Sequence, residues 1–151
     1  MSKITAAITA IGGYVPEYVL TNQILETLVD TNDEWITTRT GIKERRILKE
    51  DGKGTSFLAI KAAQNLIDKT GLDPKEIDLV IVATATPDMK AASTAAYTAT
   101  NIWAVNAFSF DLEAACSSFL FGMSVASSYI VSGRYKKVLL IGADKNSSMI
   151  N

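Results

Sequence analysis

The chain reads as an α/β domain in three layers, with helices on both faces of a mostly parallel sheet. Three observations predict it. An apolar helical stripe, Leu58, Ala59, Ala62, Ala63, Leu66 and Ile67, leads into a β-branched run from Ile77 to Ala83. A second apolar strand, Ala107 to Leu112, gives way to a small-residue helix, and Lys137 to Gly142 supplies a further strand after it. Continuous apolar strands signal burial on both faces. Strands that alternate with helices close by right-handed crossovers, which place helices on both sides of the sheet.

The elements follow in order. Ile4, Ala6, Ile8 and Ala10 alternate from Lys3 to Ile11 and close at Gly12-Gly13, which predicts a buried strand. Thr21 can cap a helix over Asn22 to Val29, and Asn32 or Asp33 a second helix that Gly41 stops. A helix from Thr55 ends at Gly71, Asp73-Pro74 turns the chain, and Ile77 to Ala83 forms a strand. A helix from about Ser93 to Trp103, the strand before Cys116, a helix from about Cys116 to Ser132 and the strand at Lys137 to Gly142 complete the pattern.

With 151 residues and 48% apolar composition, the chain is sized for one domain, residues 1–151, with a real core. Fifteen basic and sixteen acidic side chains leave a net charge of −1, so no global field recruits nucleic acid or an anionic membrane. No apolar stretch approaches the roughly 20 residues that cross a bilayer. The N-terminus opens into a strand-like run rather than a signal peptide, and a cytoplasmic location is expected. One cysteine and no histidine exclude an intramolecular disulfide, a Cys-His pair within this chain and zinc sites of the usual kind.

That single cysteine, Cys116, sits where a strand passes through Glu113-Ala114-Ala115 into a helix beginning Ser117-Ser118-Phe119. A thiol there faces unpaired backbone N–H groups and the positive end of the helix dipole, which favour the nucleophilic thiolate. Ala114, Ala115, Ser117 and Ser118 are small enough to let a substrate approach the backbone. The alternative is a small apolar filler, since free cysteine is often buried.

Several segments in one order resemble β-ketoacyl-acyl carrier protein synthase III, of the thiolase-like superfamily. They are residues 30–45, with Asn32, Trp35, Arg39 and Gly41; the strand Val80 to Thr84; Phe110 to Phe119 around Cys116; and Ser132-Gly133-Arg134-Tyr135. The resemblance implies half of a thiolase-like fold and an acyltransferase of fatty-acid initiation. There an acyl group passes from acyl-CoA to a cysteine, and malonyl-acyl carrier protein then loses carbon dioxide and attacks the thioester. Cys116 matches the acylated nucleophile, and its amide would contribute to the oxyanion site. Trp35 and Arg39, with Thr31 nearby, match residues that hold coenzyme A.

A Trp face stacks on a base, an Arg stacks or pairs with phosphate, and the i to i+4 spacing puts both on one side of a helix. A packing anchor and a surface ion pair are the other readings of Trp35 and Arg39. No cofactor is implied beyond the coenzyme A thioester, which is a substrate. The basic stretch Lys43, Arg45, Arg46 and Lys49 could meet the carrier protein or form an ordinary solvated face. Arg134 to Lys137 read as decoration of a helix end and strand edge.

The resemblance covers a first half only. The family's second half carries a histidine and an asparagine that this chain lacks, so condensation is not expected of it alone. An exposed sheet edge at Lys137 to Gly142 and an uncovered apolar helix face are expected, together with a homodimer. Ala91-Ala92 and Trp103 stand where the family carries bulkier residues and a glycine respectively, which suggests a truncated and engineered half whose added indole needs burial. The competing function is a non-enzymatic half-domain scaffold that self-associates.

Overall fold

The computed structural model describes residues 4–149. They form two compact units, one of Val15–Lys53 and one made of the residues up to Tyr14 together with those from Gly54 onward.

In the smaller unit, β1 (Tyr18–Thr21) pairs antiparallel with β2 (Glu44–Ile47), Tyr18 opposite Ile47 and Thr21 opposite Glu44. Between them lie α1 (Asn22–Glu26) and α2 (Asp33–Thr40). Thr21 Oγ1 accepts from Ile24 N at 3.3 Å and so caps α1 as expected. The helix ends at Glu26 rather than Val29, because Thr27 N and Oγ1 both turn back onto Ile24 O and tighten the last turn. Asn32 caps α2 through Trp35 N at 2.8 Å. Gly41, at φ 71°, ends it in the left-handed conformation that a side chain resists.

Buried Asn22 ties this unit together. Its Nδ2 donates to Asp33 Oδ1 at 2.7 Å and Ile42 O at 2.8 Å, while its Oδ1 accepts from Arg45 Nη1 at 2.8 Å. A buried amide with both ends satisfied specifies one arrangement of the strands and helices around it.

The larger unit contains α3 (Thr55–Thr70), β3 (Leu79–Ala83), α4 (Thr94–Asn101), β4 (Phe108–Leu112), α5 (Ser118–Val131) and β5 (Val138–Gly142). The three strands form a parallel sheet in the order β4-β3-β5. Residues Leu79 to Ala83 are all buried, as the unbroken apolar run implies.

Helix α4 joins β3 to β4, and α5 joins β4 to β5 across β3. The two connections step in opposite directions, so right-handed crossovers must put the two helices on opposite faces. Side-chain packing agrees. Val80, Val82, Leu139 and Ile141 share a core with Ala59 and Ala63 of α3 and Ala95 and Ala99 of α4. Leu140, pointing the other way, meets Gly122 of α5. A Cβ on Gly122 would lie 2.5 Å from Leu140 Cδ1, so any side chain there would make Leu140 shift.

One expected strand is absent. The described part of the first segment, residues 4–11, contains no strand, and Ile8 is 72% exposed and Ile11 79%. Alternation makes a strand only when the backbone finds a ladder, and among the described residues this segment pairs with neither edge of the three-stranded sheet. Lys3 lies outside the described residues. The segment ends against α3, where a Cβ on Gly12 would sit 2.7 Å from that of Leu66. Helix α4 is also shorter than the expected span, stopping at Asn101 because Trp103 leaves the helical region. No helix of the described residues is long and apolar enough to cross a membrane.

Candidate active site

Cys116 does not open α5 itself. It occupies the middle of a 3₁₀ turn, Ala115–Ser117, and α5 begins one residue later at Ser118. The entry to that turn is strained: Ala115 has φ 46°, a left-handed conformation that costs an alanine about 1–2 kcal/mol. Ser117 N donates to Ala114 O at 3.0 Å, and Ser118 Oγ donates to Ala115 O, so the turn is braced from both sides. The first N–H groups of such a turn precede any acceptor within it, and the Cys116 amide falls among them. The thiol is exposed, which removes the reading of Cys116 as a core filler.

A cleft of about 290 Å³ lies beside the C-terminal ends of β3 and β4, lined by Thr84, Pro87, residues 89–93, Asp111 and Glu113. Its position follows from topology. The chain leaves β3 toward α4 on one face and leaves β4 toward α5 on the other, and ligands of open parallel sheets gather at such a divergence. Cys116 follows the lining residue Glu113 by one short turn.

Asp111 in the cleft wall is occupied. Its Oδ2 accepts from Thr94 N at 2.7 Å, and its Oδ1 from Ala95 N at 2.7 Å and Ser93 Oγ at 3.1 Å. It therefore caps α4 from a neighbouring strand, and Ser93 Oγ caps the same helix through Ala96 N at 3.2 Å.

In the smaller unit, α2 presents Trp35 and Arg39 as the spacing implies. The guanidinium of Arg39 lies 4.5 Å from the centre of the Trp35 ring, which remains 52% exposed. Trp35 is thus no packing anchor but half of an exposed cation–π pair, one flat and one charged surface side by side. Thr31 is half-buried, one residue before the cap Asn32.

Residues of the basic stretch are committed locally. Arg45 serves Asn22, Arg46 Nη1 donates to Pro16 O at 3.1 Å, and Lys49 Nζ sits 3.5 Å over the Tyr18 ring. These three brace the β1–β2 pair, while Lys43, Arg46 and Lys49 stay exposed, so the solvated face expected of the stretch is also there.

The family model of 3-oxoacyl-[acyl-carrier-protein] synthase III matches residues 110–151, the stretch that holds Cys116. The full chain is 57% identical to a β-ketoacyl-[acyl-carrier-protein] synthase III of Bacteroides thetaiotaomicron and 58% identical to one of Phocaeicola vulgatus, covering 45% of each. A crystal structure of the synthase III from Thermus thermophilus superposes with a TM-score of 0.90 at 43% identity, over 95% of this chain and 44% of that one. The chain belongs to the synthase III family, as its N-terminal half. It spans about half the length of the curated relatives it matches.

Within that family frame, Trp103 has a direct physical reading. Its φ is 65°, so the backbone takes the left-handed conformation in which a glycine is at ease. The expected burial of the indole does not occur, because Trp103 is 71% exposed. The charged run before β5 does more than decorate. Lys136 N and Lys137 N donate to Asp78 Oδ2 at 2.8 and 2.9 Å, and Lys137 Nζ pairs with Glu76.

Sequence reasoning missed Asp111 as a cap and Asp144 as a hub of hydrogen bonds. For Asp111 a signal exists, a lone carboxylate inside the apolar strand Phe-Ser-Phe-Asp-Leu. A charge in a buried sheet needs donors, and the N-terminus of α4 supplies them.

Proposed function

We propose that the chain carries the acylation half of a synthase III site. Cys116 takes an acyl group from an acyl-CoA: its thiolate sulfur attacks the thioester carbonyl, the carbonyl oxygen becomes an oxyanion, and the bond to the coenzyme A sulfur then breaks. Coenzyme A leaves as a thiolate, and the enzyme retains a thioester on Cys116. The Cys116 amide stabilises the oxyanion, and Trp35, Arg39 and Thr31 hold the nucleotide end of coenzyme A. The supporting observation is the exposed cysteine on the strained Ala115 turn, three residues after Glu113 of the cleft lining. Backbone strain of this kind concentrates where a turn must present one side chain.

In the whole protein the acyl-enzyme condenses with malonyl-acyl carrier protein in fatty-acid initiation. Condensation is outside the reach of this chain alone, which has no histidine to assist decarboxylation. Incubation with acetyl-CoA followed by intact-mass measurement tests the reading. One acetyl group per chain is expected, none on Cys116→Ala, and acetoacetyl-acyl carrier protein should not form when malonyl-acyl carrier protein is added.

A second reading has its own support. Phe119, Leu120, Phe121 and Met123 of α5 are exposed, as is Phe108 on the edge strand β4. Such a surface favours a homodimer or a self-associating, non-enzymatic scaffold. Light scattering behind size exclusion, combined with the acylation assay, separates the two readings: an inert thiol in a stable oligomer supports the scaffold.

A further inference from the structure

The loop from Thr84 to Ser93 forms most of the cleft wall, and its start is held from the far edge of the sheet. Asp144, just past β5, accepts four hydrogen bonds on Oδ1: Thr86 Oγ1 at 2.8 Å, Ala85 N at 2.9 Å, Thr84 Oγ1 at 3.0 Å and Thr86 N at 3.1 Å. The same knot reaches α3, where buried Thr55 Oγ1 donates to Thr86 O at 2.6 Å and accepts from Lys145 N at 3.2 Å. Further along the loop, Asp88 Oδ2 accepts from Ser56 N at 3.0 Å, at the first turn of α3. The other end of the loop is fixed by Asp111.

Four donors converging on one carboxylate oxygen restrict that oxygen to a single place, and bonds to an ionised acceptor are stronger than neutral ones. A network with every member satisfied rigidifies what it joins. Thr84 both belongs to the knot and lines the cleft. The carboxylate therefore sets where the wall begins without lining the cleft itself.

We propose that Asp144 is a positioning residue of the site: it fixes the β3–α4 loop, and through that loop the shape of the cleft that Glu113, three residues before Cys116, helps to line. The link from cleft to substrate rests on the acylation reading above, whereas the link from Asp144 to the loop does not.

Amide hydrogen exchange on the intact chain tests the structural link. In Asp144→Ala, exchange at Ala85 and Thr86 should rise about 10- to 100-fold. It should also rise at Ser56, whose partner Asp88 rides on the same loop, while Val80, Val82 and Ile141 stay protected. Asp144→Asn, which keeps an oxygen acceptor, should restore most of the protection. If Asp144→Ala fails to fold, Thr86→Val removes three hydroxyl contacts of the knot, to Asp144, Thr55 and Lys145, and should show the same pattern more weakly. Unchanged exchange at Ser56 overturns the proposal.

Acylation by acetyl-CoA gives the functional arm. Asp144→Ala should raise the concentration for half-maximal acylation about 10-fold and leave the limiting rate nearly unchanged, with Asp144→Asn in between. Equal half-saturation in all three proteins overturns the role in positioning. If the unsubstituted chain is not acylated at all, the acylation reading fails, and the exchange data alone decide the role of Asp144.

Discussion

The two faces of the parallel sheet are built differently. Against α3 and α4, side chains are small and the fit is close: Ala59, Ala63, Ala95 and Ala99 bring both helices down onto Val80, Val82, Leu139 and Ile141. Against α5 two glycines make the near approach, Gly122 to Leu140 and Gly142 to Phe119, and large apolar side chains turn outward, Leu120 being 67% exposed. The first face is finished within the chain. The second carries the turn of Cys116 and still offers apolar surface.

Breaking the finished face should have the largest effect. Ile102 is 1% exposed within that core, and Ile102→Ala should cost about 3 kcal/mol, read from urea unfolding midpoints. Trp103, the next residue, should give the opposite sign. Trp103→Gly relieves a left-handed backbone and loses little burial, so a gain of about 1 kcal/mol is expected from the same measurement.

A smaller effect depends on pH. Asp78 at the start of β3 receives the backbone N–H groups of Lys137 and Lys136, which hold its carboxyl below the ordinary 3.8 against a modest opposing effect of burial. A pKa lower in the folded state than in the unfolded one contributes stability that is complete above about pH 5 and is lost as the pH falls through the folded value. Unfolding midpoints compared at about pH 6 and about pH 3 should therefore converge between the chain and Asp78→Asn as the solution is acidified. The smallest effect on folding belongs to the open face. Leu120→Ser should change stability by less than about 0.5 kcal/mol yet reduce self-association in sedimentation experiments.

Local patterns made the helix ends of both units and the buried strand β3 legible. The stripe of α3 and the run Leu79 to Ala83 carry their structure in adjacent residues, and the caps Thr21, Asn32, Gly41 and Gly71 mark helix ends by their own chemistry. The β1–β2 pair was not legible, because Tyr18 finds Ile47 only after two helices intervene, and Arg45 and Arg46 resemble a surface charge run. The first segment misled in the opposite way, since its alternation is local and a ladder partner is not. Among the candidate residues, the cysteine and the Trp35–Arg39 spacing stood out as residue types. Asp144 did not, since its donors lie 58 to 60 residues away in the chain.

On the proposed reading the fold, and not merely the presence of a thiol, prepares Cys116 for acyl transfer. The most direct measurement is the rate of Cys116 acylation by acetyl-CoA in the folded chain against the same chain unfolded in urea. A folded rate at least about 10-fold higher is expected from a thiol presented beside an amide that stabilises the oxyanion. Equal rates in the two states, or acylation of the folded chain at residues other than Cys116, would contradict the account.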